Sequence, residues 1–483
     1  MKKIKFRNNL ILNLFLCFLS SILLFFSYPP FKFWYFSFFA FIPVFLLCRN
    51  NSFFNFIYGI LTGFIFFSLS LSWLKNVAGP IYLLLSLYLS IYFGIFLYLI
   101  FSFDIKKIIF LGGSIYFFIE VIISNFLTGF PWLLLGLSQY KNLYILKISK
   151  FAGIYGISFL IITFNLFLFT LLKKNFSIQN LFFIFFLFFL FLICRIPEKK
   201  IYKTSLNFLL IQPNMITSKI SSEENKEIIK ILLNKNLKGK KVDIVVLPEG
   251  VFQDNLFENR DLMENLKDFS IQNRCSILLG TFTGKKPFFY NSAVFINGKK
   301  FDIYNKIKLV PYGEFILGER FEFIKKTFLK IAGYQPHLKK GNKYKVFEYK
   351  NVKFSSLICY ENIFSEYLSY FLENGADFFI VITNDSWFGN SIGPYQHFYH
   401  NILRAVEYGR YFLQAGLTGI TGVISPEGKI EKIIDKNGKN LFINGYLYFS
   451  LPIFYYETFY SKYGLYPFLI FCLFLTGIII CKN

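Results

Sequence analysis

Residues 352–361 read Val-Lys-Phe-Ser-Ser-Leu-Ile-Cys-Tyr-Glu, a strand-forming run, 352–358, that stops at a thiol. Two other apolar runs stop at charged groups. Residues 242–247 lead into Pro248-Glu249, and Tyr304-Asn305-Lys306-Ile307-Lys308-Leu309 carries a lysine through a strand-like stretch over 301–310. Sheets of α/β type bind ligands just beyond strand ends, so Glu249, Lys306 and Cys359 can share one pocket although they lie far apart in the chain.

The three side chains have complementary chemistry. A thiol is nucleophilic only as thiolate, with a free pKa of about 8.5, whereas a free Glu sits near ~4.3. Direct proton transfer across that gap costs roughly 6 kcal/mol. Burial raises the carboxylate's pKa and an ammonium lowers the thiol's, so the trio can close the gap itself. Lys306 can also stabilise the oxyanion of an attacked carbonyl, with the backbone N–H of Tyr360 as a second donor. Each residue alone has an ordinary structural explanation; the signal is their combination.

Working outward, 196–460 alternates strand-like and helix-like stretches. Arg195-Ile196-Pro197 breaks what precedes it. Strands are expected at 206–211, 242–247, 276–282, 290–296, 301–310, 352–358 and 378–383, and helices at 223–237, 258–273, 363–374 and 396–410. Residues 413–434 read as strands joined by Gly/Pro turns. This alternation predicts an α/β domain, a sheet covered by helices.

Outside that domain the chain is apolar. With about 20 residues needed per crossing, the candidate spans are 10–27, 31–48, 53–73, 80–102, 107–127, 149–171, 181–195 and 465–481. The stretch 128–148, around Pro131 and Trp132, reads as a re-entrant or surface segment. The expected organisation is a membrane domain at 1–195 with about seven spans, a catalytic domain at 196–460 and a C-terminal membrane helix at 461–483. Lys2, Lys3, Lys5 and Arg7 precede the first span, and Ser27-Tyr28-Pro29-Pro30 is a poor cleavage site, which predicts an uncleaved anchor. A cytoplasmic N-terminus places Arg49, Lys106, Lys107, Lys173, Lys174 and Lys482 on its side, against Lys32, Lys75, Lys141 and Lys147 opposite. Seven crossings then deliver 196–460 to the periplasmic face.

The 52 Lys and Arg against 28 Asp and Glu give a net charge of +24. Over-use of Lys, Asn, Ile and Phe fits an AT-rich genome, and the charge also suits anionic lipid headgroups. No zinc finger, RNP signature or basic helix array is present, which argues against nucleic acid. Cys17, Cys48, Cys194, Cys472 and Cys481 lie in or beside apolar runs, so only Cys275 and Cys359 fall in the α/β region. Two such cysteines make no disulfide framework. Three histidines, His337, His397 and His400, form no evident metal set, so no metal or other cofactor is expected.

With these residues in view, the chain resembles the nitrilase (carbon–nitrogen hydrolase) superfamily, specifically its membrane branch, the apolipoprotein N-acyltransferases. Leu247-Pro248-Glu249 is similar to the family's base segment. The run from Tyr304 to Phe315 resembles its lysine motif, whose first lysine is catalytic, which points to Lys306 and not Lys308. Ile358-Cys359-Tyr360-Glu361 corresponds to the nucleophile segment. Thr383-Asn384-Asp385-Ser386-Trp387-Phe388-Gly389, continued by Ser391-Ile392-Gly393-Pro394-Tyr395-Gln396-His397, is the most distinctive match. The resemblance implies an α-β-β-α sandwich, with Glu314, Tyr360 and Glu361 supporting the triad. It also implies a monomer in the bacterial inner membrane that moves an acyl chain from a phospholipid, through a Cys359 thioester, to the N-terminal α-amine of the diacylglyceryl-cysteine of apolipoproteins. Two departures stand out: Gly250 follows the base where Thr, Ala or Ser is usual, and Met215-Ile216 replaces a tryptophan after the first strand. His397 and His400 read as structural. Phe315–Leu317 and 321–331 are candidate lipid-contacting loops.

The nearest alternative is a membrane-tethered amidase or nitrilase, which differs only in using water as acceptor. A transporter needs ionisable residues at mid-membrane, and apart from Glu120 the spans carry almost none. A polyprenol-linked sugar transferase would need an acidic metal motif that the sequence lacks.

Overall fold

In an apolar solvent a backbone must satisfy its own hydrogen bonds, so long runs of Phe, Leu and Ile fold as helices. The computed structural model describes residues 10–215, 222–237, 239–252, 255–285, 288–332 and 338–481. Lys2, Lys3, Lys5, Arg7, Ile216, His337 and Lys482 lie outside them. The chain divides into two units: Met1–Lys199 with Ser391–Tyr408 and Glu457–Asn483, and Lys200–Asn390 with Gly409–Tyr456.

The first unit is helical. Leu10–Ser27, the run Ser72–Ile100, Ile108–Asn125 and Ser149–Leu172 are long and apolar enough to cross a membrane. Trp34–Phe45, Phe54–Ser70, Ile178–Ile193 and Tyr466–Cys481 are shorter apolar helices. Small residues let two of these approach closely: a Cβ on Gly59 would lie 2.5 Å from the Phe93 carbonyl oxygen, and one on Gly63 would lie 2.9 Å from Ser90 Cα.

The expected span at 31–48 is not one continuous helix. It winds as a 3₁₀ helix, Trp34–Phe38, followed by the four-residue helix Ile42–Phe45. Pro43 has no N–H for an α-helical bond to the preceding turn, which breaks the run. Neighbouring side chains take up the freed backbone groups. Asn165 accepts from Phe41 N (3.1 Å) and donates to Ser37 O (2.9 Å), and Ser20 Oγ accepts from Val44 N (3.0 Å). The stretch 128–148 forms short turns, Pro131–Leu133, Leu135–Gln139 and Leu143–Leu146. Its backbone is held by Glu120, which accepts from Leu135 N (2.7 Å), and by Ser158, which accepts from Gly136 N (2.8 Å). The buried side chain of Glu120 thus braces a non-helical segment. His400 and His397 are buried on helix Gly393–Tyr408, one bonding Trp132 O (3.0 Å) and the other stacked on the Trp132 ring.

Among the described residues the second unit has twelve strands: β1 (Ile201–Gln212), β2 (Ile244–Val246), β3 (Ser276–Lys285), β4 (Phe288–Asn297), β5 (Lys300–Asn305), β6 (Phe347–Tyr349), β7 (Val352–Ile358), β8 (Phe378–Thr383), β9 (Tyr411–Gly416), β10 (Gly422–Ile424), β11 (Ile430–Ile433) and β12 (Gly445–Tyr455). They form two six-stranded mixed sheets, ordered β12-β1-β2-β3-β4-β5 and β11-β10-β9-β8-β7-β6. Each has a parallel centre, β1-β2-β3 and β7-β8-β9, flanked by antiparallel strands.

Alternation along β1 fixes the layers. Leu209 and Ile211 face Ile229 and Leu233 of helix Ser222–Leu237 and Leu262 and Leu266 of helix Arg260–Gln272 in one core. Phe208 faces the other way: its ring lies 5.7 Å from that of Phe378, which stacks on Phe354 at 5.3 Å, joining the two sheets. Outside the second sheet, Phe371 of helix Ser369–Glu373 meets Phe379. The order is helix, sheet, sheet, helix, an α-β-β-α sandwich. Each fully buried aromatic contributes about 1.5–3 kcal/mol of transfer free energy.

Several expected elements are shorter than the sequence indicated, the strand at 242–247 (observed as Ile244–Val246) among them, and two of these have a visible cause. The strand placed over 301–310 ends at Asn305, because Ile307 N and Lys308 N leave the ladder to bond the Glu361 carboxylate. The helix placed over 363–374 is interrupted where Phe364 takes extended dihedrals, leaving the turn Glu366–Leu368 and helix Ser369–Glu373.

Candidate active site

Glu249, Lys306, Cys359 and Asn384 all lie just past the C-terminal ends of β2, β5, β7 and β8, two strands from each sheet. The base segment runs flat across β3: Gly280 N donates to Pro248 O (3.3 Å), and a Cβ at Gly280 would stand 2.5 Å from Glu249 Cα. Only glycine permits that approach. Gly250 has φ +66°, a left-handed turn that glycine adopts without strain. Glycine after the base thus suits the left-handed backbone of this turn.

Glu249 is held at both oxygens. Oε1 accepts from Asn291 Nδ2 (2.7 Å) and Oε2 from the backbone N–H of Asn384 (2.8 Å). Lys306 follows β5, its N–H donating to Asn291 O (2.8 Å), and its side chain is only 1% exposed. Its Nζ lies 2.9 Å from Glu314 Oε1 and 3.7 Å from Glu249 Oε1. Glu314 in turn accepts from Val310 N (2.8 Å) and from the same Asn291 amide (3.0 Å). One asparagine thus donates to both carboxylates that flank the lysine. Burial alone would lower the Lys306 pKa, but Glu314 and Glu249 outweigh it and hold the ammonium above its ordinary range. Lys308 projects elsewhere, its Nζ 4.7 Å from the centre of the Phe364 ring.

Cys359 has φ +52° and opens the 3₁₀ turn Cys359–Ile363, a sharp elbow that presents the thiol at the strand end. Its thiol is pushed well above the ordinary range, by burial first and then by the charge of Glu249; Lys306 opposes this, Asp385 adds to it, and a hydrogen bond with Thr383 relieves part of it. The thiol is therefore protonated at rest and sits in the field of both other residues. Tyr360 packs edge-on against Phe364.

Glu361 is fully buried, and among the described residues the lysine ammonium pairs with Glu314 and Glu249 and not with it. Its Oε1 accepts from Tyr304 OH (2.7 Å), Tyr367 OH (2.8 Å), Ile307 N (2.7 Å) and Lys308 N (3.1 Å), and Oε2 accepts from Ile358 N (2.9 Å). Burial raises its pKa while those donors resist the rise. One carboxylate thus fastens the lysine loop to the strand that carries the thiol.

Sequence reasoning did not single out Asn291, Tyr304 or Tyr367 as site residues. Tyr304, Thr383 and Asn384 lay within quoted motifs but had no role there. Asn291 sits in Phe-Phe-Tyr-Asn-Ser-Ala-Val-Phe, 288–295, where nothing distinguishes it from any polar residue on a strand.

Comparison with known proteins bears on both halves of the chain. Residues 20–167 match the apolipoprotein N-acyltransferase N-terminal domain and residues 210–444 the carbon-nitrogen hydrolase domain. An apolipoprotein N-acyltransferase of Aquifex aeolicus is 31% identical over 79% of this chain and 88% of its own length. The enzyme of that name from Wigglesworthia glossinidia brevipalpis is 29% identical over 92% of this chain and 93% of its own, and that of Rickettsia typhi 30% over 71% and 70%. The chain belongs to the apolipoprotein N-acyltransferase family, within the nitrilase superfamily.

Proposed function

We propose that this N-acyltransferase of the bacterial inner membrane works by two acyl transfers at Cys359, the first from a membrane phospholipid and the second to the α-amine of the diacylglyceryl-cysteine that begins an apolipoprotein. The observation that carries the reading is the Cys359 elbow: a protonated thiol at a strand end, in the field of Glu249 and Lys306.

In the first step Glu249 takes the thiol proton as sulfur attacks the ester carbonyl. The oxyanion is met by the Lys306 ammonium and the Tyr360 backbone N–H. Collapse expels the lysophospholipid alkoxide, which takes the proton from Glu249 and leaves a thioester. In the second step the amine attacks that thioester, Glu249 receives the amine proton, and the thiolate leaves and regains it. Because burial holds the resting thiol protonated, proton transfer and attack are coupled, so no free thiolate accumulates. Glu314 and Asn291 hold Lys306 and Glu249 in register, and Glu361 holds the two loops together.

Residues 1–195 and 461–483 are read as the membrane part and 196–460 as a periplasmic catalytic part. Supporting this is the cytoplasmic bias of Arg49, Lys106, Lys107, Lys173 and Lys174. It requires the broken segment 31–48 to count as a crossing. The test is cysteine accessibility in spheroplasts. A cysteine at 436–440 should react with a membrane-impermeant thiol reagent and one replacing Lys173 should not; the reverse pattern would put the catalytic part in the cytoplasm.

A further inference from the structure

β8, the parallel neighbour of the strand that carries the nucleophile, runs out in three consecutive residues that serve the site. Thr383 closes the strand and Asn384 and Asp385 follow it, all three buried. Leu417 N donates to Thr383 O (2.9 Å), which fixes the strand end, and the backbone N–H of Asn384 reaches Glu249 Oε2 (2.8 Å). The Thr383 hydroxyl meets the Cys359 thiol and also donates to Asp385 Oδ1 (2.7 Å). An oxygen of the Asp385 carboxylate lies within 4.8 Å of Cys359 Sγ. The carboxylate fits there because residue 419 is glycine: a Cβ on it would stand 2.3 Å from Asp385 Oδ2.

A hydroxyl has one proton to give and lone pairs to receive another, whereas a carboxylate only accepts. With its proton on Asp385, Thr383 can only accept from sulfur, so the resting thiol points its S–H at Thr383 Oγ1. A sulfur that has lost its proton reverses the bond: the hydroxyl turns and donates to it, leaving Asp385. The contact therefore favours the thiol while Asp385 holds the hydroxyl, and the thiolate once Asp385 lets it go. Within this unit Glu249, Lys306 and Asp385 are the charged groups that act on the sulfur, and Asp385 acts on it through a hydrogen-bonded neighbour as well as through its charge.

We propose that Thr383 is a further catalytic residue, a hydroxyl that turns from Asp385 to the sulfur whenever negative charge builds on Cys359, and that Asp385 is the positioning residue that turns it back. No proton is transferred in this movement. Thr383 keeps its own, and the thiol proton travels to Glu249 and back as in the proposed transfers. The inference rests on the reading of Cys359 as the nucleophile.

The test uses the full chain in detergent, without acyl donor or acceptor, and follows iodoacetamide alkylation of the half-buried Cys359 at neutral pH by peptide mass spectrometry. Asp385→Asn removes the charge and releases the hydroxyl, so alkylation should speed up. That gain should be about tenfold larger than the gain from the same substitution in a Thr383→Val background, the worth of one hydrogen bond to a charged group. A Thr383→Ser background, which keeps the hydroxyl, should give the full gain. An equal gain with Thr383 and with Thr383→Val would mean that Asp385 acts through its charge alone and would overturn the switch, as would no gain in either. Where Asp385→Asn does not fold, the S–H stretching band of Cys359, isolated by subtracting the spectrum of Cys359→Ala, decides the matter. It should move to higher frequency in Thr383→Val, and an unmoved band would overturn the proposal. Failure of the parent to form a thioester on Cys359 would instead overturn the proposed reaction, on which these measurements of the resting thiol do not depend.

Discussion

Replacing Lys306 by Met keeps most of its length and removes its charge. The ammonium stands 2.9 Å from Glu314 and 3.7 Å from Glu249 with its side chain 1% exposed, so the substitution strands two carboxylates. At an effective dielectric constant of about 20, contacts of that length are worth roughly 4–6 kcal/mol each before desolvation. Removing one partner of a buried pair costs about 3–5 kcal/mol in practice. Part of this falls on stability, and the loss of an oxyanion donor adds about 10²–10³-fold in rate. Adding Glu314→Gln separates the two, because it takes away one stranded charge without restoring the donor. The double variant should regain thermal stability in detergent but not activity. Lys308→Met, which gives up only a contact with Phe364, should cost about 0.5–1 kcal/mol and little rate. The assay is single-turnover release of lysophospholipid from a fluorescent donor, beside thermal unfolding. Were Lys306→Met to keep its rate within about tenfold, or Lys308→Met to lose more, the assignment of the lysine would be wrong.

The base gives a prediction of opposite signs. Glu249 helps hold the Cys359 thiol up, so Glu249→Gln should lower the thiol pKa and speed alkylation of Cys359 at mildly alkaline pH. The same variant should lose at least ~10²-fold in acyl transfer; slower alkylation together with slower transfer would point to misfolding of the site. In the parent, a raised thiol pKa means that the folded state keeps its proton longer. That contribution to stability is present below the ordinary thiol pKa and is lost as pH rises through the folded value, which unfolding measured against pH should register. Asn291→Ala removes two hydrogen bonds to carboxylates, each worth about 1.5–3 kcal/mol. It should slow both half-reactions together, and an effect confined to donor KM would contradict its positioning role.

Much of this could be read from the chain because strand ends are conspicuous. Val352–Ile358 and Phe378–Thr383 are uninterrupted strand-formers that stop at polar residues, and the structure gives them those bounds. β6 and β12 were not anticipated: Phe347–Tyr349 is too short to show a period, and Gly445–Tyr455 carries a proline and lies at a sheet edge. The interruption at 31–48 was hidden because hydropathy cannot see that Asn165 and Ser20, distant in sequence, supply partners for a broken helix. Asn291 was hidden for a similar reason, since its importance comes from two carboxylates that the fold brings to it.

The account's central claim is a thioester on Cys359. Enzyme incubated with a phospholipid bearing labelled palmitate, without acceptor, should release lysophospholipid and retain the label on the peptide containing Cys359, removable by hydroxylamine. Cys359→Ala should retain none while still inserting in the membrane, and Cys275→Ala, whose thiol is buried in the core, should behave as the parent. Adding a diacylglyceryl-cysteine peptide should move the label onto its amine as an amide. Transfer by Cys359→Ala, label on another residue, or release of the label only as free fatty acid would contradict the account, the last pointing to an amidase-like hydrolase.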